Sequence, residues 1–498
     1  MNKFTKVMLS ILLLFVLFLP STIGAKNKIN EEMMYKILLD RYNVGEQQKS
    51  DSVDIDDPYA YHGGDLKGLK AKLGFIEGLG YSSIAVSSIM ANKEDGYHGY
   101  WIEDFFEIDE QFGSMEDLDK LTEDAKKRDI NIVLELVLNY AADSHPFVSD
   151  EEKADWFEEV TVPAEDSTYW LDNVLSLDQE NEEVQEYLLS VIDYWMDETD
   201  LAGFNLHAVD QMSPEFLGMV IDHVKEKDEE FYLYGTILEA EKAAGVIEQF
   251  GDDILIANTD LYGALLETFS DVGEPVSHIY DVWEDLGGKA AYMYVDDEHT
   301  KRFSQLVAEH GRNPTTAWKL LLTYMYTSPG VPVIFQGSEI TMFGEGFPET
   351  QRLVPFHSAE QELEQFFYRI ASLKEEFPSL SHGSYELLDS DGAMSVFKRS
   401  YEDETIYIAI NNDDELRRVD ITDVEDDKRL RGILDDNLAR QNDDGSYSLG
   451  IPRESVEIYL IEDDIGFNWL FISFVVGIFL LFVAAVIYLS RKQKARES

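Results

Sequence analysis

The sequence predicts an α/β domain, then a small antiparallel β domain, then one membrane helix. Between residues 34 and 337, short apolar runs of β-prone residues alternate with helical stretches. After residue 384 the runs lie closer together and are separated by turn sequences such as D-D-G at 443–445. Near the carboxyl terminus, residues 469–489 form an apolar run long enough to cross a bilayer.

The first pattern contains eight candidate strands, and apolar periodicity predicts helices at 115–127 and 184–196. Strands that alternate with helices suggest a (β/α)₈ barrel, but their spacing fits a doubly wound sheet equally well. The eight candidate strands are 35–39, 83–86, 131–137, 203–206, 231–234, 254–257, 292–295 and 331–335. The candidate strands of the antiparallel β domain are 386–388, 395–398, 405–410 and 456–460.

Composition excludes several classes of function. The chain has 498 residues, of which 45% are hydrophobic, so it is long enough for a large core and a second domain. It has no cysteine, which excludes disulfides and thiolate chemistry. Its 98 acidic and 40 basic residues give a formal charge of -58, which disfavours nucleic acid and anionic lipid as partners.

The amino terminus has the composition of a secretory signal. Lys3 and Lys6 precede an apolar run at 7–19, and small residues lead to Ala25. This pattern predicts a signal peptide over residues 1–25, with an uncleaved anchor as the alternative.

The carboxyl terminus has the composition of a membrane anchor. A linker at 463–468 leads to the predicted membrane helix at 469–489, and a basic tail follows at 490–498. Together with the signal, this order predicts a single-pass type I protein of the cell membrane, with its globular part outside the cell. The absence of cysteine favours a Gram-positive bacterial surface.

Six stretches resemble, in order, the landmarks of the α-amylase family, glycoside hydrolase family 13. They are D-R-Y-N at 40–43, A-Y-H-G-G-D-L-K-G-L at 60–69, Y-H-G-Y-W-I-E-D-F-F-E-I-D at 97–109, L-A-G-F-N-L-H-A-V-D-Q at 201–211, S-P-G-V-P-V-I-F-Q-G-S-E at 328–339 and F-P-S-L-S-H-G-S-Y at 377–385. The resemblance implies a (β/α)₈ TIM barrel over residues 26–382, with a short insertion at about 141–177. It also implies a C-terminal β-sandwich over 383–462.

The positions that match the family's catalytic carboxylates carry other residues. The resemblance implies a nucleophile on the fourth strand, an acid/base on the fifth and a third carboxylate after the seventh, and these positions hold His207, Thr236 and His299. A threonine hydroxyl supplies no proton near neutral pH. Asn205 replaces the arginine that would hold the nucleophile ionised. The resemblance therefore predicts a pseudoenzyme that lacks ordinary amylase hydrolysis.

Several matched positions point to a site that still binds a ligand. The resemblance implies that an α-glucan or another glycan contacts side chains at the carboxyl ends of the strands. Three alternatives remain open: a rewired hydrolase that uses Glu239 or Glu241, a metal centre of histidines and glutamates, and a scaffold for a non-carbohydrate partner. The predicted binding residues are His98, Tyr100, Glu135, Tyr140, Asn205 and Glu298.

Calcium is the one metal that the resemblance suggests. Asn139 and Asp65 match residual calcium positions of the family. Calcium takes six to eight oxygen ligands, and the sequence offers too few at the matched positions. No cofactor is therefore expected, although calcium binding through Asp178 stays an open alternative.

Overall fold

The computed structural model describes residues 28–45, 53–160, 166–358, 360–464 and 469–497. The predicted signal peptide at 1–25 lies outside the described residues, and so does most of the predicted linker at 463–468.

Strands recur along the described chain until residue 463. In chain order they are β1 (Met34–Ile37), β2 (Ser83–Val86), β3 (Met90–Asn92), β4 (Ile102–Ile108), β5 (Asn131–Leu136), β6 (Tyr140–Ala142), β7 (Phe157–Glu158), β8 (Val174–Leu177), β9 (Gly203–Leu206), β10 (Tyr232–Gly235), β11 (Leu255–Ile256), β12 (Ala291–Met293), β13 (Gly330–Phe335), β14 (Ser384–Asp391), β15 (Met394–Tyr401), β16 (Glu404–Asn411), β17 (Arg417–Ile421), β18 (Lys428–Gly432), β19 (Leu438–Arg440), β20 (Tyr447–Ile451) and β21 (Ser455–Asp463).

Many helices begin after a short polar residue whose side chain accepts a backbone N–H, as do Asp65, Ser114, Asn181 and Ser213. The helices are α1 (Leu66–Gly78), α2 (Met115–Lys126), α3 (Glu182–Glu198), α4 (Pro214–Lys227), α5 (Ala240–Phe250), α6 (Thr259–Ser270), α7 (Ser277–Asp285), α8 (Phe303–Glu309), α9 (Pro314–Thr327), α10 (Gln361–Glu376), α11 (Pro378–His382) and α12 (Trp469–Glu497). The two helices predicted by periodicity correspond to α2 and α3.

The parallel sheet closes into a barrel. Its strands are arranged in the order β11-β10-β9-β5-β2-β1-β13-β12. A parallel bridge between Ala257 and Tyr292 joins the two outer strands. The structure therefore has the (β/α)₈ barrel and not the doubly wound sheet, and all eight candidate strands overlap barrel strands.

The alternation of side chains along the strands decides what fills the barrel. Met34 on β1 and Val133 on β5 belong to a buried apolar cluster with residues of the other barrel strands. Because side chains two residues apart share a face, Lys36 and Glu135 lie on the same inner face, closer to the carboxyl ends of the strands. We call this end of the barrel the barrel mouth.

An insertion lies between β5 and α3. Its strands form a small antiparallel sheet in the order β6-β8-β7. A 3₁₀ segment, Asp166–Asn173, precedes β8 and brings Trp170 to the barrel mouth.

The C-terminal domain is antiparallel, as predicted. One sheet has the order β14-β15-β16-β21-β18-β19, and β17 pairs with β20. Buried residues of both sheets, such as Val396, Tyr407, Val419 and Leu449, form one core. The four predicted strands correspond to β14, β15, β16 and β21, whereas β17 to β20 were missed because they are short and half polar.

The predicted membrane helix is not supported. None of the helices in the described part of the chain combines the apolar character and the length, roughly 20 residues, that crossing a bilayer requires.

Candidate functional site

The barrel mouth contains a small cavity. Its volume is about 40 Å³, enough for a few water molecules at about 10–15 Å³ each. Pockets that bind drug-sized ligands usually measure about 300–1,000 Å³. Its lining includes His207, Thr236 and His299, which the resemblance matches to the family's catalytic positions. Five further acidic or basic residues also line it: Lys36, Glu135, Asp296, Asp297 and Glu298.

An ion pair lies on one side of the cavity. The Lys36 Nζ atom donates to a Glu298 carboxylate oxygen at 2.8 Å, and both side chains are buried. The Tyr100 hydroxyl donates to the same carboxylate at 3.3 Å. Burial by itself would raise the pKa of Glu298, but the charges of Lys36 and His299 and the hydrogen bond from Lys36 together outweigh it and lower that pKa to about 2. Glu298 is therefore a carboxylate at neutral pH.

A second pair joins β5 to the end of β9. The His207 Nδ1 atom lies 3.1 Å from a Glu135 carboxylate oxygen, and both side chains are buried. The His207 backbone N–H donates to the Leu136 carbonyl at 3.0 Å, which continues the parallel pairing of the two strands. A carboxylate at this distance fixes the orientation of an imidazole ring.

The Thr236 hydroxyl is hydrogen-bonded to the backbone. It accepts the Ala208 N–H at 3.0 Å. Ala208 has a φ of 47°, in the left-handed region, where the chain turns away from β9. Thr236 therefore stabilises the turn that follows His207. It has no carboxyl group that could exchange a proton with a substrate.

A cluster of aromatic rings, which we call the cover, packs against the cavity residue His207. The fully buried Trp170 ring lies 4.6 Å from Tyr100, 5.3 Å from His207 and 5.6 Å from Tyr140, measured between ring centroids. The His98 ring stacks on Tyr100 at 5.2 Å. Burial, followed by the nearby His299, lowers the pKa of His98 well below its usual value, so this ring is neutral.

A second group of aromatic residues lies outward of this cover. The Tyr169 ring stacks on Phe347 at 4.3 Å, and both contact Tyr59, which is 51% exposed. Tyr169 also contacts His98 at 5.8 Å. We call Tyr59, Tyr169 and Phe347 the aromatic rim. It is continuous with the cover of the barrel mouth and open to solvent.

Polar atoms without partners concentrate at the mouth. Within the described residues, no hydrogen bond reaches Nε2 of His207, Oε2 of Glu135, either amide atom of Asn205 or either ring nitrogen of His299. Buried polar atoms are normally hydrogen-bonded because an unpaired one costs about 1–3 kcal/mol. The mouth can therefore accept small polar groups.

Glu239 is the charged start of a helix. It directly precedes α5 and accepts hydrogen bonds from Gln211, at 2.8 Å, and from Lys242. The bond from Lys242 lowers its pKa, and Glu239 does not belong to the cavity lining. An ionised side chain outside the cavity cannot act as the general acid that the rewired-hydrolase hypothesis assigns to it.

The residual calcium positions do not fit a calcium ion. The Asn139 Oδ1 atom accepts a hydrogen bond from the Gln179 amide at 3.0 Å, so an N–H group points at the oxygen that would bind the metal. Asp65 caps α1 by accepting the Gly68 N–H at 2.6 Å. Across the described residues, no group of three or more histidine, aspartate and glutamate side chains is arranged to hold a metal, so the metal-centre hypothesis has no support.

Sequence reasoning missed several residues at the mouth, among them Lys36, Trp170, Asp296 and Asp297. Lys36 is the one charged residue in the apolar run M-Y-K-I-L-L, and a charge within an apolar run was the signal that could have identified it as a site residue. Trp170 lies in the insertion, where no periodicity indicated which side chain reaches the barrel.

Comparisons with known proteins agree with this architecture. The family model described as the α-amylase catalytic domain matches residues 36–231, and that of the α-amylase C-terminal domain matches residues 383–459. An α-amylase from Anoxybacillus is 34% identical, with a TM-score of 0.83 over 88% of this chain and 99% of that one. An α-amylase from Geobacillus thermoleovorans, solved with acarbose, is 35% identical, with a TM-score of 0.81 over 87% of this chain and 99% of that one.

Curated relatives are more distant. A cyclomaltodextrinase from Thermoanaerobacter pseudethanolicus is 24% identical over 79% of this chain and 72% of its own length. An intracellular maltogenic amylase from Bacillus subtilis is 24% identical over 82% of this chain and 73% of its own length.

The predicted location, a single-pass type I protein with its globular part outside the cell, is wrong. The described helices include no membrane span, and one of these relatives is named an intracellular enzyme.

Proposed function

This chain belongs to the α-amylase family, glycoside hydrolase family 13, and we propose that it binds α-glucan chains without hydrolysing them at the rate of the family's enzymes. One observation carries the proposal. The aromatic rim, in which Tyr59 is half exposed, contacts the barrel mouth through His98. The resemblance adds that His207, Thr236 and His299 at this mouth match the family's catalytic positions.

The partners of Glu298, Glu135 and Thr236 at the mouth favour binding over hydrolysis. Retaining hydrolysis needs two carboxyl groups about 5–5.5 Å apart, one to attack and one that is protonated to donate to the leaving oxygen. The ion pair with Lys36 keeps Glu298 ionised, so Glu298 cannot be the acid. Glu135 is engaged by His207, and Thr236 by the backbone of Ala208.

The aromatic rim supplies what binding needs. A pyranose ring presents apolar C–H faces that pack against aromatic rings, and hydroxyl groups that seek polar partners. Tyr59 offers half of its surface to solvent, and Tyr169 and Phe347 are partly buried beside it. The related G. thermoleovorans enzyme was solved with acarbose, which supports an oligosaccharide as the ligand class.

Calorimetric titration with maltooligosaccharides tests the proposal. We expect saturable binding that becomes about tenfold weaker, or about 1.4 kcal/mol, in Tyr59→Ala. Tyr368→Ala is the matched control, because Tyr368 is 57% exposed on α10, away from the rim. Absence of binding heat, or equal weakening by both substitutions, would reject the proposal and favour a scaffold with a non-carbohydrate partner.

An α-glucan hydrolase with a rewired site is the second candidate. Four residues with carboxyl groups, Glu135, Asp296, Asp297 and Glu298, line one cavity, and the relatives are named as enzymes. If this candidate is right, the protein releases reducing sugar from an α-glucan, and Glu135→Gln abolishes the release. Glu239→Gln is then the control that keeps the activity, since Glu239 lies outside the cavity.

A further inference from the structure

The chain enters and leaves the insertion at two residues that are tied together. Asn139 directly precedes β6, and Gln179 follows β8 on the way to α3. Both side chains are buried, with 3% and 7% of their surface exposed. The Leu177 N–H donates to the Asn139 carbonyl at 2.9 Å, which brings the two chain segments side by side.

The Gln179 amide joins three segments at this junction. Its Nε2 atom donates to the Leu138 carbonyl at 3.2 Å and to the Asn139 Oδ1 atom at 3.0 Å. Its Oε1 atom accepts the Ser213 N–H at 2.8 Å, at the start of α4. Because a backbone carbonyl and a backbone N–H fix the two ends of the amide, its orientation is unambiguous.

The Asn139 amide extends the connection to the end of β9. Its Nδ2 atom donates to the carbonyls of His207 and Ala208 at 2.8 and 3.0 Å. These contacts leave Oδ1 as the acceptor for Gln179. We call Gln179, Asn139 and their backbone partners the amide junction.

We propose that the amide junction, and not a divalent cation, fastens the insertion to the barrel. Each oxygen that a cation would use at Asn139 and Leu138 already accepts an N–H from Gln179, and no acidic side chain takes part in the junction. A cation needs anionic or carbonyl oxygens turned towards it, whereas an amide N–H carries positive partial charge and repels it. The insertion therefore stays docked without metal.

The junction matters for the mouth because the same insertion delivers Trp170. Loss of the junction frees the entering and leaving segments and lowers the stability of the Trp170 cover. This inference is independent of whether a glucan binds.

Thermal unfolding of the full chain tests the inference. After dialysis against EDTA, we expect the same Tm as in buffer with calcium. Any divalent ion can raise the Tm of so acidic a surface, and a magnesium control measures that general effect so that it can be subtracted. Gln179→Met keeps the side-chain length but removes the hydrogen bonds, and should lower Tm by about 2–5 °C in every buffer. Gln361→Met, at an exposed position of α10, is the matched control and should leave Tm unchanged.

A second readout is local. Limited proteolysis should cut within residues 141–177 several-fold faster in Gln179→Met than in the wild type. If calcium restores a Tm lost in EDTA and magnesium does not, a calcium site exists and the inference is overturned. An unchanged Tm in Gln179→Met also overturns it. The chelator comparison uses the wild type alone and stays decisive if the variant fails to fold.

Discussion

The ion pair between Lys36 and Glu298 makes a prediction whose size follows from the structure. In the wild type, the pKa of Glu298 falls from its ordinary value of about 4.5 to about 2. This difference corresponds to roughly 3 kcal/mol of stability. Because the pKa is lower in the folded state, this contribution is present above about pH 4.5 and is lost as the pH falls towards 2.

Lys36→Met removes the cation and leaves Glu298 buried without its partner. We expect the unfolding free energy at pH 7 to fall by about 3–5 kcal/mol, the usual cost of an uncompensated buried charge. Burial then raises the pKa of Glu298 above its ordinary value, so the sign of the pH dependence reverses. The variant should regain stability as the pH falls from 7 to 5, where the wild type gains none from this residue.

Guanidinium unfolding followed by near-UV circular dichroism, at pH 7 and pH 5, measures both effects. The double variant Lys36→Met/Glu298→Leu should recover most of the loss, because apolar residues can replace a buried ion pair at little cost. Lys120→Met, which breaks an exposed i,i+4 pair with Glu116, is the control and should leave the midpoint unchanged. If Lys36→Met matches the wild type at pH 7, the pair does not hold the mouth together and the reasoning fails.

Three further predictions follow from other parts of the chain. Trp170→Ala should lower the unfolding free energy by about 3–5 kcal/mol, because it removes a fully buried ring from the mouth; an effect below 1 kcal/mol in denaturant titration would contradict the packing described. Raising sodium chloride from 0.1 M to 1 M shortens the Debye length from about 10 Å to about 3 Å. Tm should therefore rise, because repulsion among the excess acidic residues weakens. A constant Tm would count against this view of the surface. Burial raises the pKa of Glu339 to about 7, so this residue lowers the stability of the folded state as the pH rises from about 4.5 to about 7. Glu339→Gln should flatten that part of a Tm–pH profile. An unaltered profile would contradict this prediction.

Sequence reasoning predicted the fold well because the signals were local and ordered. Apolar runs located all eight barrel strands, and the order of the family landmarks chose the barrel over the doubly wound sheet. Strands such as β17 and β18 escaped because only alternate residues, for example Val419 and Leu430, are buried in them. Hydropathy alone predicted a membrane helix that the structure does not support.

The sequence predicted which residues belong to the site, but not which side chains bond to one another. The matched positions were expected to lie near one another, because the carboxyl ends of parallel strands meet at one end of a barrel; Glu135, His207, Thr236, Glu298 and His299 line one cavity. The partnerships of Glu298 with Lys36 and of Asn139 with Gln179 depend on side-chain direction and on contacts between distant segments. A single sequence contains no signal for those contacts.

Turnover of a soluble α-glucan by the purified protein, measured as reducing ends over time beside the Anoxybacillus α-amylase, tests the central claim most directly. The account predicts a kcat/KM at least about 10⁴-fold below that of the enzyme, because the resemblance matches His207 and Thr236, which have no carboxyl group, to the nucleophile and acid/base positions. A rate within tenfold of the enzyme, abolished by Glu135→Gln, would contradict it.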